Sequence, residues 1–99
     1  MNKPKNTMKV SFPSRGANEG LARMLVAAFI TEADPTVEEL CDIKTAVSEA
    51  VTNCIVHAYP DRIGEIYIAA SLSESNLVTI KVRDLSLIHI SEPTRLDVI

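Results

Sequence analysis

The order in which hydrophobic periodicity changes along this chain constrains its fold more than any other feature. Met8, Val10 and Phe12 alternate with polar residues, a period of two that is typical of a half-buried strand, and the pattern ends at Pro13. Two segments with helical spacing follow, and two more segments with period two come after them. The predicted order is strand, helix, helix, strand, strand, which favours an α/β two-layer sandwich with helices on one face of a sheet.

The two helical segments have distinct start and stop signals. The first is predicted over about residues 18–32, and Asp34-Pro35 ends it. Its apolar side chains at helical spacing are Leu21, Leu25, Ala28 and Phe29. The second begins at Thr36, which forms a capping-box pattern with Glu39, runs to about His57 and is closed by Pro60. Its predicted apolar stripe is Leu40, Ile43, Val47, Ala50, Val51 and Cys54.

The last two segments form a predicted hairpin. Glu65–Leu72 and Leu77–Arg83 both alternate apolar and polar residues, and the polar string SESN separates them. Because a hairpin pairs strands that are adjacent in sequence, these two are expected to lie side by side in the sheet.

Length, charge and cysteine content exclude several classes of protein. Ninety-nine residues allow one domain, and a net charge of −3 argues against direct nucleic-acid binding. The longest apolar run, Leu25 to Ile30, is far shorter than a membrane span requires, so no membrane association is expected. Cys41 and Cys54 would lie about 20 Å apart on one helix, too far for a disulfide. Reduced thiols indicate a cytoplasmic protein.

Glu49 and Asn53 are the candidate chemical pair of the second helix. They are four residues apart, so they share a face, and that face points away from the apolar stripe. A carboxylate can act as a base, and a carboxamide can bind a metal ion or a phosphate. The same spacing is also common on an ordinary solvated helix face, and spacing alone does not decide between these interpretations.

A longer stretch of sequence carries more information than the pair does. The string VSEAVTNCIVHAY, residues 47–59, is preceded by DPTVEELCDIKTA and followed by a hairpin that ends in VTIKVRD. Together these segments resemble the anti-sigma F factor family of endospore-forming bacteria, nearly continuously from Met8 to Asp84. That family consists of protein serine kinases of the gyrase, Hsp90, histidine kinase and MutL ATPase superfamily. The resemblance implies a histidine-kinase-like ATPase fold of the Bergerat type, with residues 47–59 as its N box.

The resemblance also implies roles for individual residues. It makes Glu49 the general base, Asn53 the magnesium ligand and Asp84 the residue that binds the adenine amino group, with ATP and Mg²⁺ as cofactors. Arg23 matches an arginine that contacts partner proteins, and Glu19 lies one turn before it; the two could also form a simple helical ion pair. For His57, near a helix C-terminus, capping is favoured over catalysis.

Three functions are compatible with these residues. The leading one is an anti-sigma factor that inhibits sporulation sigma factor F and, as a protein serine kinase, phosphorylates an anti-anti-sigma factor; the resembled family forms homodimers. The second is a non-catalytic module that only binds the sigma factor. The third is another histidine-kinase-like ATPase.

The resemblance stops abruptly after Asp84. The family continues with glycine-rich segments that hold the phosphates, whereas residues 85–99, LSLIHISEPTRLDVI, contain no glycine. This string resembles translated sequencing-adaptor DNA. We therefore expect residues 1–84 to be the N-terminal part of the ATPase domain, and residues 85–99 to be a non-native tail. The chain is then expected to be an inactive fragment, with an unpaired sheet edge at Val78–Val82.

Overall fold

The computed structural model describes residues 4–84, and the expectations for residues 85–99 lie outside them. The elements follow the predicted order: β1 Pro4–Pro13, α1 Ala17–Ile30, a 3₁₀ turn Thr31–Ala33, α2 Val37–Asn53, a π-helical turn Cys54–Ala58, β2 Glu65–Ser73 and β3 Val78–Asp84. The α/β two-layer architecture is therefore confirmed for the described residues, with boundaries within a few residues of those predicted.

The three strands form one antiparallel sheet in the order β1-β2-β3. Its register pairs Val10 with Ile68 and Ile68 with Val82, so apolar residues of all three strands lie in one row. Within residues 4–84, β3 pairs with β2 only. Whether its other edge is paired by residues 85–99 lies outside the described residues.

The hydrophobic core lies between this sheet and the two helices. Alternate strand residues point to the helices and are buried, and their neighbours point to the opposite face. The fully buried strand residues include Ile66, Leu72, Val78 and Ile80. Neither helix of the described residues is long and apolar enough to span a membrane.

The buried face of α1 differs in part from the one predicted: Phe29 packs half-buried against the core, but the fully buried positions are others. Ala22, Val26 and Ile30 are buried, whereas Leu21 is 44% exposed and Ala28 is also exposed. Most positions between residues 20 and 30 are apolar, so periodicity fits more than one rotation of the helix about its axis. Contact with α2 and the sheet selects the rotation that buries Ala22, Val26 and Ile30.

The predictions for α2 are confirmed. Thr36 Oγ1 accepts a hydrogen bond from the Glu39 amide at 3.1 Å, and the Glu39 carboxylate accepts one from the Thr36 amide at 2.8 Å. The stripe predicted for its core side is buried at Ile43, Val47 and Val51. Capping fixes where the helix begins, and the stripe fixes which face is left for solvent.

Candidate functional site

Glu49 and Asn53 both lie on the exposed face of α2, one turn apart. Val47 and Val51, on the other side of the same two turns, are fully buried against the core. The backbone that carries the polar pair is therefore anchored, while both side chains reach solvent. A carboxylate and a carboxamide held in this way can meet a ligand without a rearrangement of the helix.

The helix does not end as a regular α-helix. Residues Cys54–Ala58 form a π-helical turn, in which the Tyr59 amide donates to the Cys54 carbonyl at 3.2 Å. Single π-helical turns are rare and occur frequently at functional sites. The sequence predicted helix to about His57, which the structure supports, but the hydrophobic pattern carries no signal for the wider turn. His57 is exposed in this last turn, which is compatible with the predicted capping position.

Asp84 lies at the end of β3 and is only 1% exposed. It pairs with Ile66 in the sheet, and alternation places its side chain on the same face as Ile80 and Val82, toward the helices. An aspartate is rarely so buried unless it has a partner. The structure places this strand-end acid in the interior.

Cys54 connects Asp84 with the end of α2. The thiol is buried, and desolvation, together with the negative charge of nearby Asp84, raises its pKa from the ordinary 9.0 to about 11. Because Cys54 directly follows Asn53, the carboxylate of Asp84 lies beside the end of the helix that carries the exposed polar pair. The structure thus brings Asn53 and Asp84 to one end of the sandwich, with Glu49 one turn earlier.

The buried thiol gives a direct test of this geometry. A pKa of about 11 in place of 9.0 lowers the thiolate fraction at pH 8 about 100-fold, and burial slows access further. We expect iodoacetamide to alkylate Cys54 at least about 100-fold more slowly than exposed Cys41 in the native chain. Mass spectrometry of the alkylated chain measures both rates together.

Two comparisons isolate the cause of the slow reaction. Asp84→Asn removes one source of the raised pKa, so alkylation of Cys54 should accelerate and its rise with pH should shift to lower pH. In guanidinium chloride the two cysteines should react at similar rates. Equal rates in the native chain would contradict the placement of Cys54 next to Asp84 in the interior.

Arg23 and Glu19 form the helical ion pair that their spacing allows on α1, and Ser48 is a further partner of Arg23. Arg23 Nη1 donates to Glu19 Oε2 at 2.6 Å and to Ser48 Oγ at 3.1 Å. Ser48 immediately precedes Glu49, and a groove of about 330 Å³ between α1 and α2 is lined by residues that include Glu19, Arg23 and Glu49. The predicted partner-contact residues are thus linked to the backbone that carries the predicted base, which no spacing rule indicates.

Contacts around Gly64, for which the sequence carries no local signal, fix the segment after the π-helical turn. The Tyr59 ring lies against Gly64, and its hydroxyl donates to the Glu65 carbonyl at 2.8 Å. Gly64 in turn exchanges hydrogen bonds with Ser14: its amide donates to Ser14 Oγ at 2.8 Å, and its carbonyl accepts from the Ser14 amide at 2.9 Å. These contacts tie the exit of α2 to β1 and β2.

The sequence of this chain is similar to a known family model and to several curated proteins. A family model described as a histidine kinase-like ATPase domain matches residues 12–90. The anti-sigma F factor of Thermoanaerobacter sp. (strain X514) is 56% identical over 79 residues, which cover 80% of this chain and 54% of that protein.

Two further relatives have the same name. The anti-sigma F factor of Clostridium kluyveri is 51% identical over 75 residues, covering 76% of this chain and 53% of the relative. The anti-sigma F factor of Priestia megaterium is 48% identical over 81 residues, which cover 81% of this chain and 55% of the relative. The chain spans about half the length of the curated relatives it matches.

Proposed function

The chain belongs to the histidine kinase-like ATPase domain family, and on this basis we propose that it is the N-terminal part of an anti-sigma factor that is also an ATP-dependent protein serine kinase. Its proposed partners are sporulation sigma factor F, which it inhibits, and an anti-anti-sigma factor, which it phosphorylates on serine. The observation that carries the proposal is the N-box helix, with exposed Glu49 and Asn53 and with buried Asp84 beside its end.

Glu49 has the properties that the base in this reaction needs. Phosphoryl transfer depends mainly on positioning and charge stabilisation, with a carboxylate that orients the attacking hydroxyl and accepts its proton. Glu49 is ionisable, exposed and mounted on an anchored turn. It can therefore reach the hydroxyl of an incoming serine, which must approach from solvent.

Asn53 and Asp84 fit the two parts of a nucleotide. The carboxamide oxygen of Asn53 is a hard donor of the kind that Mg²⁺ accepts, and it is exposed where a phosphate-bound ion could reach it. When bound, Mg²⁺ neutralises the negative charge of the phosphates. The Asp84 carboxylate lies in a low-dielectric setting, where a hydrogen bond from an exocyclic amino group such as that of adenine is strengthened.

The partner-binding role is proposed for Arg23 and Glu19. The Arg23 side chain is 39% exposed, so a partner protein can contact it without unfolding α1. Its hydrogen bond to Ser48 offers a physical connection between a docked partner and the Glu49 turn. We also propose a homodimer in the cytoplasm, a setting in which the free thiols of Cys41 and Cys54 stay reduced.

Testing the activity requires the remainder of the domain. We propose that residues 85–99, which lack glycine, do not complete the phosphate-binding site. The experiment therefore compares the 99-residue chain with a chimaera that joins residues 1–84 to the C-terminal part of the Thermoanaerobacter relative. Calorimetry with Mg-ATP should show much weaker binding to the 99-residue chain than to the chimaera.

The same two proteins separate the candidate functions. With radiolabelled ATP, the chimaera should transfer phosphate to a serine of the anti-anti-sigma factor and should retain sigma factor F in a pull-down. Retention of the sigma factor with no phosphoserine would instead support the non-catalytic binding module. A chimaera that binds Mg-ATP but neither partner would favour another ATPase of the family.

A further inference from the structure

The face of the sheet opposite the helices has a distinct chemical character. Outward-pointing residues of the three strands line a cleft of about 430 Å³ on this face: Lys9, Ser11, Tyr67, Ala69, Lys81 and Arg83. Of the acidic residues in the three strands, Glu65 points outward, and it lies at the first position of β2. The centre of the face is therefore basic.

Strand register explains the shape of this cleft. Lys9, Ala69 and Lys81 lie opposite one another across the three strands, and Ser11, Tyr67 and Arg83 form the next row. Neighbouring strands are about 4.8 Å apart, so the two lysines flank the small side chain of Ala69 at a separation of about 10 Å. Tyr67, in the neighbouring row, also lines the cleft.

The three cations are available to an external ligand. Among residues 4–84, Lys9, Lys81 and Arg83 form no ion pair. The Arg83 guanidinium lies over the Tyr67 ring, 5.2 Å from its centroid, which restricts the guanidinium while leaving its N–H groups free to bind a carboxylate in a bidentate manner.

Positive charge is concentrated on this face although the chain is acidic as a whole. Residues 17–49, which contain α1 and most of α2, carry two basic and seven acidic side chains. A long polyanion such as a nucleic acid would extend beyond the basic face and be repelled by these acidic side chains. A short acidic segment can contact the basic face alone. If two copies of this chain packed with their basic faces against each other, the like charges would repel.

We propose that this face docks an extended, acidic polypeptide segment of a partner protein. In an extended segment, carboxylates at positions i and i+2 point the same way and are about 7 Å apart. Lys81 and Arg83 are likewise two positions apart on β3, so the spacing of acids and cations matches. This docking surface is separate from the α1 and α2 groove and does not depend on the proposed kinase activity.

The test uses the 99-residue chain and a fluorescein-labelled peptide with three alternating Glu-Ser repeats. Fluorescence anisotropy at low ionic strength should show saturable binding that weakens with added salt. Lys81→Glu should weaken the affinity about tenfold, because an attraction becomes a repulsion at an exposed site. Arg15→Glu, which makes the same charge change in the exposed β1–α1 connection, should alter the affinity less than twofold.

Each alternative has a defined outcome. A peptide with Gln in place of each Glu should not bind, and equal binding would overturn the proposal. A single-stranded oligonucleotide of the same charge that binds more tightly than the peptide would assign the face to nucleic acid instead. Loss of a dimer on Lys81→Glu, measured by analytical ultracentrifugation, would assign it to a second copy.

Discussion

Glu49→Gln should reduce serine phosphorylation by the chimaera about 10²–10⁴-fold, the range typical for removing a general base. The carboxamide has nearly the same size and shape as the carboxylate, but it cannot accept the proton of the attacking hydroxyl. Because Glu49 is exposed and the anchoring residues of its turn are unchanged, the fold should persist. Transfer of radiolabelled phosphate, with Mg-ATP affinity measured in parallel, gives the result.

The matched control is Glu38→Gln. Glu38 is exposed on the same helix, in its first turn, away from Asn53 and Asp84, so the substitution makes the same chemical change outside the site. We expect activity within about twofold of the unsubstituted chimaera. Undiminished transfer by Glu49→Gln, at unchanged nucleotide affinity, would rule out Glu49 as the base.

Gly64→Ala should destabilise the fold by about 2–3 kcal/mol, the cost of forcing a methyl group into a packed site. An alanine Cβ at this position would overlap the ring carbons of Tyr59. The ring cannot move away cheaply, since it is 6% exposed and its hydroxyl is hydrogen-bonded to the Glu65 carbonyl. Urea denaturation of the 99-residue chain, followed by circular dichroism, measures the change.

Gly16→Ala provides the comparison for this effect. Gly16 lies at the start of α1, and no atom outside its neighbours lies within 4 Å of a Cβ built there. Its substitution should change stability by no more than about 0.5 kcal/mol. If both alanine variants unfold at the same urea concentration, the contact between Tyr59 and Gly64 does not hold the exit of α2.

Local signals in the sequence were sufficient for α2 and for the strands. The capping box at Thr36 and the stripe through Ile43, Val47 and Val51 predicted where the helix begins and which side it buries. The exposed face that carries Glu49 and Asn53 follows from these two facts. The capping bonds join residues three apart, and the stripe has a single apolar side, so no distant contact is needed to define either.

For helix α1, periodicity alone was not sufficient to predict the buried face. Its sequence offers apolar side chains on most of its circumference, so periodicity favoured Leu21 and Ala28 for the core. The structure buries Ala22, Val26 and Ile30 instead. Which stripe is buried depends on the shape of the surface that α1 packs against, and that surface is made by residues of α2 and the sheet.

By itself, the sequence determined the order of the elements and the face of α2 that bears the polar pair, because these depend on spacing within single segments. It also carried the family resemblance, which rests on the residues of a nearly continuous stretch from Met8 to Asp84. Only the tertiary structure placed Asp84 in the interior beside Cys54, linked Arg23 to Ser48 and seated Tyr59 on Gly64. The first two contacts join residues 25 or more positions apart, and the third closes a loop. Their geometry is set by how the helices dock on the sheet, which local periodicity does not encode.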